Sequence, residues 1–351
     1  MIPEKADDVT AQWFSDALGA SVQAIELEPV GVGVGLLGEL YRVHLTGDGV
    51  PASAILKLPT HAAANKAIGM AFRFYEREIR FFRDVAPTAR VRVPQALHLD
   101  MDVDAERFVL VLEDLGHLEM ADQVAGMSVE QAIAAVQAIA PFHAQWWQSP
   151  DLESLDWLPA ADHPITMQAA QVYEDSWPHF SEKWSHVVPA GGMELGERVR
   201  DSYRHMLTDL AVPPRTFVHT DFRLDNLFFG DGGVTVIDWQ LSTRSSGVYD
   251  VAYLLSQSMD VELRKASQSE IIGAWHERLC QAGVDDYTLE QANADYAGSV
   301  LVCLVVAVAA GADMDLGNER GEALVRAIAE RGFSAALDVD AESVFARLSS
   351  D

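Results

Sequence analysis

Apolar and polar positions alternate along Gly38–Leu45 (GELYRVHL) and crowd together along Ala52–Pro59 (ASAILKLP), with TGDG following the first run. A period of two, β-branched and aromatic residues and a glycine-bearing turn predict two strands of a hairpin. The period then lengthens: FRFYEREIRFFRDV, from Phe72 to Val85, predicts a helix. Two further strand-like runs follow, VRVPQALHL and RFVLVLEDL. Beyond Gly116 the spacing is mostly helical. Ser128 and Gln131 stand at capping-box spacing at the head of SVEQAIAAVQAIAPFHAQWW. The stretch 148–195, with its Gly, Pro and Trp, reads as an elaborated loop and helix insertion, and helical patterns continue from about residue 165. No internal repeat and no low-complexity segment interrupts the chain. The change of character near residue 113 divides it into a small sheet with one helix, 1–113, and a larger, mainly helical part, 114–351.

Composition narrows what such a chain can bind. With 351 residues, 49% of them apolar, it can bury a sizeable core, and its length favours two domains. A net charge of -28 repels the phosphate backbone that a nucleic-acid binder must neutralise, so nucleic acid is not an expected partner. Cys280 and Cys303 lack metal-ligand spacing, and two cysteines support neither a disulfide framework nor a zinc site. A reducing, cytoplasmic setting is expected, because MIPEKADDVTAQWF carries acids and no long apolar stretch. The most apolar run, Val300–Ala310, has 11 residues between Gly298 and Gly311. A bilayer needs about 20. A buried helix is expected there, and no membrane.

Three phrases carry candidate chemistry. In VGVGVGLLGELYRV, Gly33, Gly35 and Gly38 form a G-x-G-x-x-G array. A dinucleotide loop of that form leads into a helix, whereas here a strand follows, so a strand–loop–strand flap over phosphates fits better. Glycines alone also mark ordinary turns. Lys57 interrupts the apolar AILKLP. Turned inward it needs a partner, and the next helix offers Glu78, with Glu76 as the alternative; such a pair would hold the ammonium for phosphate oxygens. A surface lysine on a half-exposed strand is the plainer reading. Finally, HTDFRLDN (His219–Asn226) and VIDWQ (Val236–Gln240) present Asp221, Asn226 and Asp238. Such oxygen-bearing side chains suit the hard ion Mg²⁺, although Asp and Asn are also common in turns.

In order, glycine-rich loop, strand lysine, helix glutamate, the hinge LVLEDLG, HTDFRLDN and VIDW resemble the parts of the protein kinase-like fold. The chain is most similar to the aminoglycoside phosphotransferase and choline kinase-like superfamily, and IDWQ and YDVAYLL resemble its ecdysteroid kinase-like branch. The likeness is strong from Val218 to Leu255 and weakest over 148–210 and after 260. It implies an α+β, two-lobe fold with a small antiparallel N-lobe sheet and one main helix, and a larger, mostly helical C-lobe. It implies ATP and Mg²⁺ as cofactors, and transfer of the γ-phosphate to a hydroxyl of a small molecule. Asp221 then handles the acceptor hydroxyl, Asn226 and Asp238 bind the metal, and Gly33, Gly35, Gly38, Lys57 and Glu78 address the phosphates. Glu113 and Leu115, at the hinge, offer backbone groups to adenine. Arg223 stands where protein kinases carry a lysine near the transferred phosphate, and a salt-bridged surface arginine is an equal reading. His219 is expected to hold the loop. Asp250 fits an N-cap, and by resemblance ties down the catalytic-loop backbone.

Thr220 replaces the arginine found before the aspartate in phosphorylation-regulated kinases, DWQ lacks the Phe and Gly of D-F-G, and no A-P-E-like segment follows. A constitutively assembled small-molecule kinase is implied, with room for a substrate pocket between Lys57 and Asp221. Trp146, Trp147, Trp157, Trp177 and Trp184 suggest a bulky apolar acceptor, but aromatics, like His143 on its helix, more often fill a core. Two alternatives remain: a non-catalytic nucleotide-binding protein of the same fold, and an NAD-dependent dehydrogenase. The latter rests on the glycine array alone and predicts a parallel sheet.

Overall fold

The computed structural model describes residues 2–30, 38–105, 107–313 and 319–349. They form two compact units: 1–119 together with Thr235–Leu241, and Met120–Val234 together with 242–351.

In the first unit, α1 (Ala11–Leu18) opens on Thr10, whose hydroxyl accepts the Trp13 N–H at 3.1 Å, and closes on Gly19 at φ 63°. Five strands follow: β1 (Ser21–Val30), β2 (Gly38–Asp48), β3 (Ser53–Pro59), β4 (Ala96–Asp102) and β5 (Arg107–Glu113). They lie in the order β1-β2-β3-β5-β4, and each neighbouring pair is antiparallel. The parallel sheet of the dehydrogenase reading is therefore not what this unit contains. Val43, Leu45, Leu56, Leu58, Val109 and Val111 turn one face of the sheet onto Val9 and Phe14. Gly33 and Gly35 lie outside the described residues; β1 ends at Val30 and β2 begins at Gly38.

The helical stretch differs from the pattern's expectation. α2 (Ala63–Ala71) precedes α3 (Phe74–Arg80), with Arg73 between them in left-handed backbone, φ 55°. A wider π-type turn continues α3 over Phe81–Val85 and brings Phe81, Phe82 and Val85 to buried positions. VRVP is not part of β4, because Pro94 has no N–H to give a ladder. Arg92 instead forms a parallel bridge to Thr235, and its carbonyl accepts the Val236 N–H at 2.9 Å, which ties 235–241 into this unit.

The second unit is helical: α4 (Val129–Trp146), α5 (Pro150–Ser154), α6 (Gln168–Trp184), α7 (Gly192–Leu210), α8 (Val248–Ser258), α9 (Val261–Gln281), α10 (Leu289–Asp313), α11 (Glu319–Asp338) and α12 (Ala341–Leu348). At the head of α4 the Gln131 N–H reaches the Ser128 hydroxyl, and the Gln131 side chain accepts the Ser128 N–H, so both arms of the capping box are made. The apolar run at 300–310 is the middle of α10, which packs against α6, α7, α8 and α11. Over Leu289–Ala312 α10 is long and apolar enough to cross a membrane, and 67% of its most apolar window is buried inside the protein. Trp157, Trp177 and Trp184 are core residues: Trp177 stacks on Tyr173 and Phe180, and Trp184 Nε1 donates to the Gly311 carbonyl.

Candidate active site

Lys57 lies on β3 between Leu40 of β2 and Leu110 of β5, and only 8% of it is exposed. Its ammonium is 2.7 Å from Glu78 Oε2 on α3, 3.4 Å from Asp238 Oδ1 and 3.4 Å from Gln240 Oε1. Burial works against the ammonium, but Asp238 and Glu78 outweigh it and hold Lys57 charged well above the ordinary lysine range. Glu76 is engaged elsewhere, with Arg73 at 2.7 Å and Arg80 at 3.6 Å. Gly38 opens β2 directly over Lys57: a Cβ there would stand 3.1 Å from Lys57 Cε and 3.2 Å from the Leu58 carbonyl. Asp238 adopts left-handed backbone, φ 64°, and Gln240 Nε2 donates to its Oδ2 at 3.2 Å. Next to it Trp239 is fully buried and stacks on Phe81 with centroids 4.1 Å apart, which anchors the segment that carries Asp238. At the hinge, the Glu113 N–H already donates to Gln95, whereas among the described residues the Leu115 N–H has no acceptor.

The second unit carries HTDFRLDN. It leaves the strand Thr216–Val218, which pairs with Thr243–Ser245. Asp250 fixes its backbone: Oδ2 accepts the His219 N–H and Oδ1 the Thr220 N–H, both at 2.8 Å. Thr220 is held there at φ 70°. Asp250 is not the N-cap its position suggested. Val248 and Tyr249 are buried as the first helical residues, so α8 starts earlier, on Gly247, and frees the Asp250 carboxylate for the loop. Behind it His143 Nε2 lies 3.1 Å from Asp250 Oδ2, while Trp275 Nε1 donates to His143 Nδ1 at 3.1 Å. The indole must be the donor, so Nδ1 is bare and Nε2 carries the hydrogen that Asp250 accepts. His143 is thus packed, as the helical pattern implied, but within a relay to the loop.

Asp221 receives three donors. Tyr253 Oη lies 2.7 Å from Oδ1, Asn226 Nδ2 donates to Oδ2 and to the backbone carbonyl at 2.9 Å, and Arg223 Nε is 3.3 Å from Oδ1. Arg223 also meets Asp225 at 3.2 Å, so it is salt-bridged on both sides. The Asp221 N–H reaches His219 Nδ1 at 3.2 Å. Gln123 Oε1 accepts the Leu224 N–H, and the Gln123 N–H donates to Asp225.

Residues 31–289 match the APH phosphotransferase enzyme family. The chain belongs to this family. No protein of curated function matches the sequence of this phosphotransferase. Its fold is that of the kinase-like enzymes, two-lobe α+β. A microcompartment-associated aminopropanol kinase is 18% identical, with a TM-score of 0.54 over 92% of this chain and 93% of that one. A choline kinase from Cryptosporidium parvum Iowa II is 13% identical, with a TM-score of 0.55 over 92% and 91%. An amicoumacin kinase, solved with AMP-PNP, Ca²⁺ and Ami, is 12% identical, with a TM-score of 0.52 over 91% of each chain.

Two neighbours of the phosphotransferase's acidic groups escaped the sequence reading. Gln240 had a signal, a polar side chain two residues after Asp238 in an otherwise apolar phrase. Tyr253 had a fainter one, its i,i+3 spacing from Asp250, which puts both on one face of α8.

Proposed function

We propose that this phosphotransferase moves the γ-phosphate of ATP to a hydroxyl of a small molecule with Mg²⁺, in the manner of the ecdysteroid kinase-like branch that IDWQ and YDVAYLL resemble. The observation that carries the reading is Lys57, a buried ammonium between Glu78 and Asp238. A charge so costly to bury suits a group that must meet phosphate oxygens in a fixed place. We take 1–113 as the nucleotide-holding lobe and 114–351 as the catalytic one. Lys57, oriented by Glu78, binds the phosphates, Gly33, Gly35 and Gly38 are the glycines assigned to the same phosphates, and the hinge at Glu113 and Leu115 receives adenine, chiefly through the Leu115 N–H.

Asp238 and Asn226 are the oxygen donors assigned to Mg²⁺. The Asn226 side chain fits: both contacts of its NH₂ are to Asp221 oxygens, which leaves the carbonyl Oδ1 as the coordinating atom. Among the described residues no cluster of three or more His, Cys, Asp or Glu could hold a metal; Mg²⁺ would keep waters and take substrate phosphates as further ligands. Such an ion, when bound, neutralises phosphate charge. Asp221 orients the acceptor hydroxyl: its oxygen bonds to the γ-phosphorus as the bond to the β,γ-bridging oxygen breaks, the proton passes to Asp221 or solvent, and nucleoside diphosphate leaves. Arg223 compensates charge beside Asp221.

Thermal shift with Mg-ATP, ATP alone and NAD, beside a phosphate-transfer screen of hydroxylated acceptors, tests this. Mg-ATP should raise Tm more than ATP, because a ligand that binds only the folded state stabilises it, and one acceptor should be labelled. Equal shifts with and without Mg²⁺ would count against the metal ligands. A shift with NAD, or nucleotide binding with no acceptor ever labelled, would return the alternatives.

A further inference from the structure

Tyr253 lies within YDVAYLL without a role assigned to it there, yet among the described residues its hydroxyl makes the shortest contact to Asp221, 2.7 Å to Oδ1. The ring is 4% exposed and leaves α8 one turn after Asp250, from the face that also holds the loop backbone. Burial, and Asp221 beside it, push the phenol well above the usual tyrosine value, so it keeps its proton and is the donor. On the far side of the carboxylate, Oδ2 takes the Asn226 amide at 2.9 Å. A carboxylate gripped at one oxygen can still turn about its last torsion, which is broad and two-fold. Gripped at both, it presents fixed lone pairs.

We infer that Tyr253 is a positioning residue for phosphoryl transfer: its short bond to Oδ1, with Asn226 on Oδ2 and the longer contacts of the partly exposed Arg223 to both oxygens, fixes the orientation in which the Asp221 carboxylate meets the acceptor hydroxyl. The inference rests on Asp221 being the residue that meets that hydroxyl. It goes beyond that reading in making α8 a side-chain support of the reaction as well as a backbone anchor. The phenol acts through Asp221 and need not touch substrate.

The test is a double-mutant cycle read by single-turnover release of γ-phosphate from Mg-ATP, with water as the probe nucleophile, and by kcat and KM on any acceptor the screen yields. Tyr253→Phe keeps the ring and its packing. It should lower kcat about tenfold, the rate equivalent of one hydrogen bond to a charged group, with KM for Mg-ATP and Tm unchanged. In an Asp221→Asn background the same substitution should lower the rate no further. An unchanged kcat, an equal fall in both backgrounds, or a rise in KM alone would overturn the inference. Wild-type rates in Asp221→Asn by itself would instead remove the catalytic assignment of Asp221, whatever Tyr253→Phe does.

Discussion

The two acidic centres are held by different physics. Around Asp238 the binding is ionic: one buried ammonium between two carboxylates, with Gln240 bridging. Around Asp221 it is mostly dipolar: backbone N–H groups and an imidazole on Asp250, a phenol and an amide on Asp221, and one cation, Arg223, whose side chain is 23% exposed. Each centre includes one non-glycine residue in left-handed backbone, Asp238 and Thr220, a cost of about 1–3 kcal/mol that the surroundings must sustain. The difference teaches where damage goes. In an ionic centre the loss of one partner leaves an uncompensated charge that strains the fold. In a dipolar centre it leaves an unmade hydrogen bond, and the consequence falls more on geometry than on stability.

That contrast can be broken, most severely at Asp221. Asp221→Asn keeps shape and one oxygen but loses the carboxylate, so transfer should fall by about 10²–10⁴ while calorimetry finds Mg-ATP affinity retained. Should affinity collapse instead, Asp221 belongs to the metal and the roles are exchanged. Next comes Lys57→Met, which leaves Glu78 buried beside Asp238 without a counter-charge. Denaturant unfolding should show a loss of about 3–5 kcal/mol, with turnover reduced by orders of magnitude. Adding Glu78→Gln should recover most of the stability and none of the turnover, and a double variant as unstable as the single one would mean that the pair is not the source of the strain.

A milder effect is expected from Asp250→Asn. Either orientation of the new amide sets an NH₂ against the donors that Asp250 now accepts, at a cost of about 1–3 kcal/mol; kcat should drop with the loosened loop, and an unaltered Tm would show that the loop is anchored by other means. Smallest of all is Glu76→Gln. Its partners Arg73 and Arg80 are partly exposed, with side chains 42% and 31% accessible. Stability should change by less than about 1 kcal/mol and turnover not at all; a fall in turnover would mean that Glu76 matters to Lys57 after all.

What the sequence made legible was chemistry at fixed offsets. The β2–β3 hairpin, the capping box of α4 and the spacing of HTDFRLDN depend on neighbours in the chain, and local patterns report neighbours. The choice between Glu78 and Glu76 was also legible in principle, since Arg73 and Arg80 stand three before and four after Glu76, the spacing at which helical side chains pair. β1 was not: Glu26 and Glu28 alternate along a half-exposed edge strand, whose apolar face shows only against β2. The start of α8 was misjudged because an aspartate ahead of an apolar run looks like a cap, and only the backbone, helical from Val248 with Gly247 before it, shows that the helix has already begun. Tyr253 was hidden by the same apolar run. Its hydroxyl matters through a residue 32 positions away, and no local period records such a distance.

The return of Thr235–Leu241 to the first unit sets a timetable for synthesis. Lys57 and Asp238 are 181 residues apart, so in a nascent chain the Lys57 ammonium lacks its second carboxylate until most of the protein has been made. Closing so long a loop carries an entropy cost that local contacts do not, so the ionic centre should be among the later features to mature. A fragment ending at residue 119 would therefore be an incomplete piece, and supplying the 235–241 segment as a separate peptide is the natural attempt at complementation.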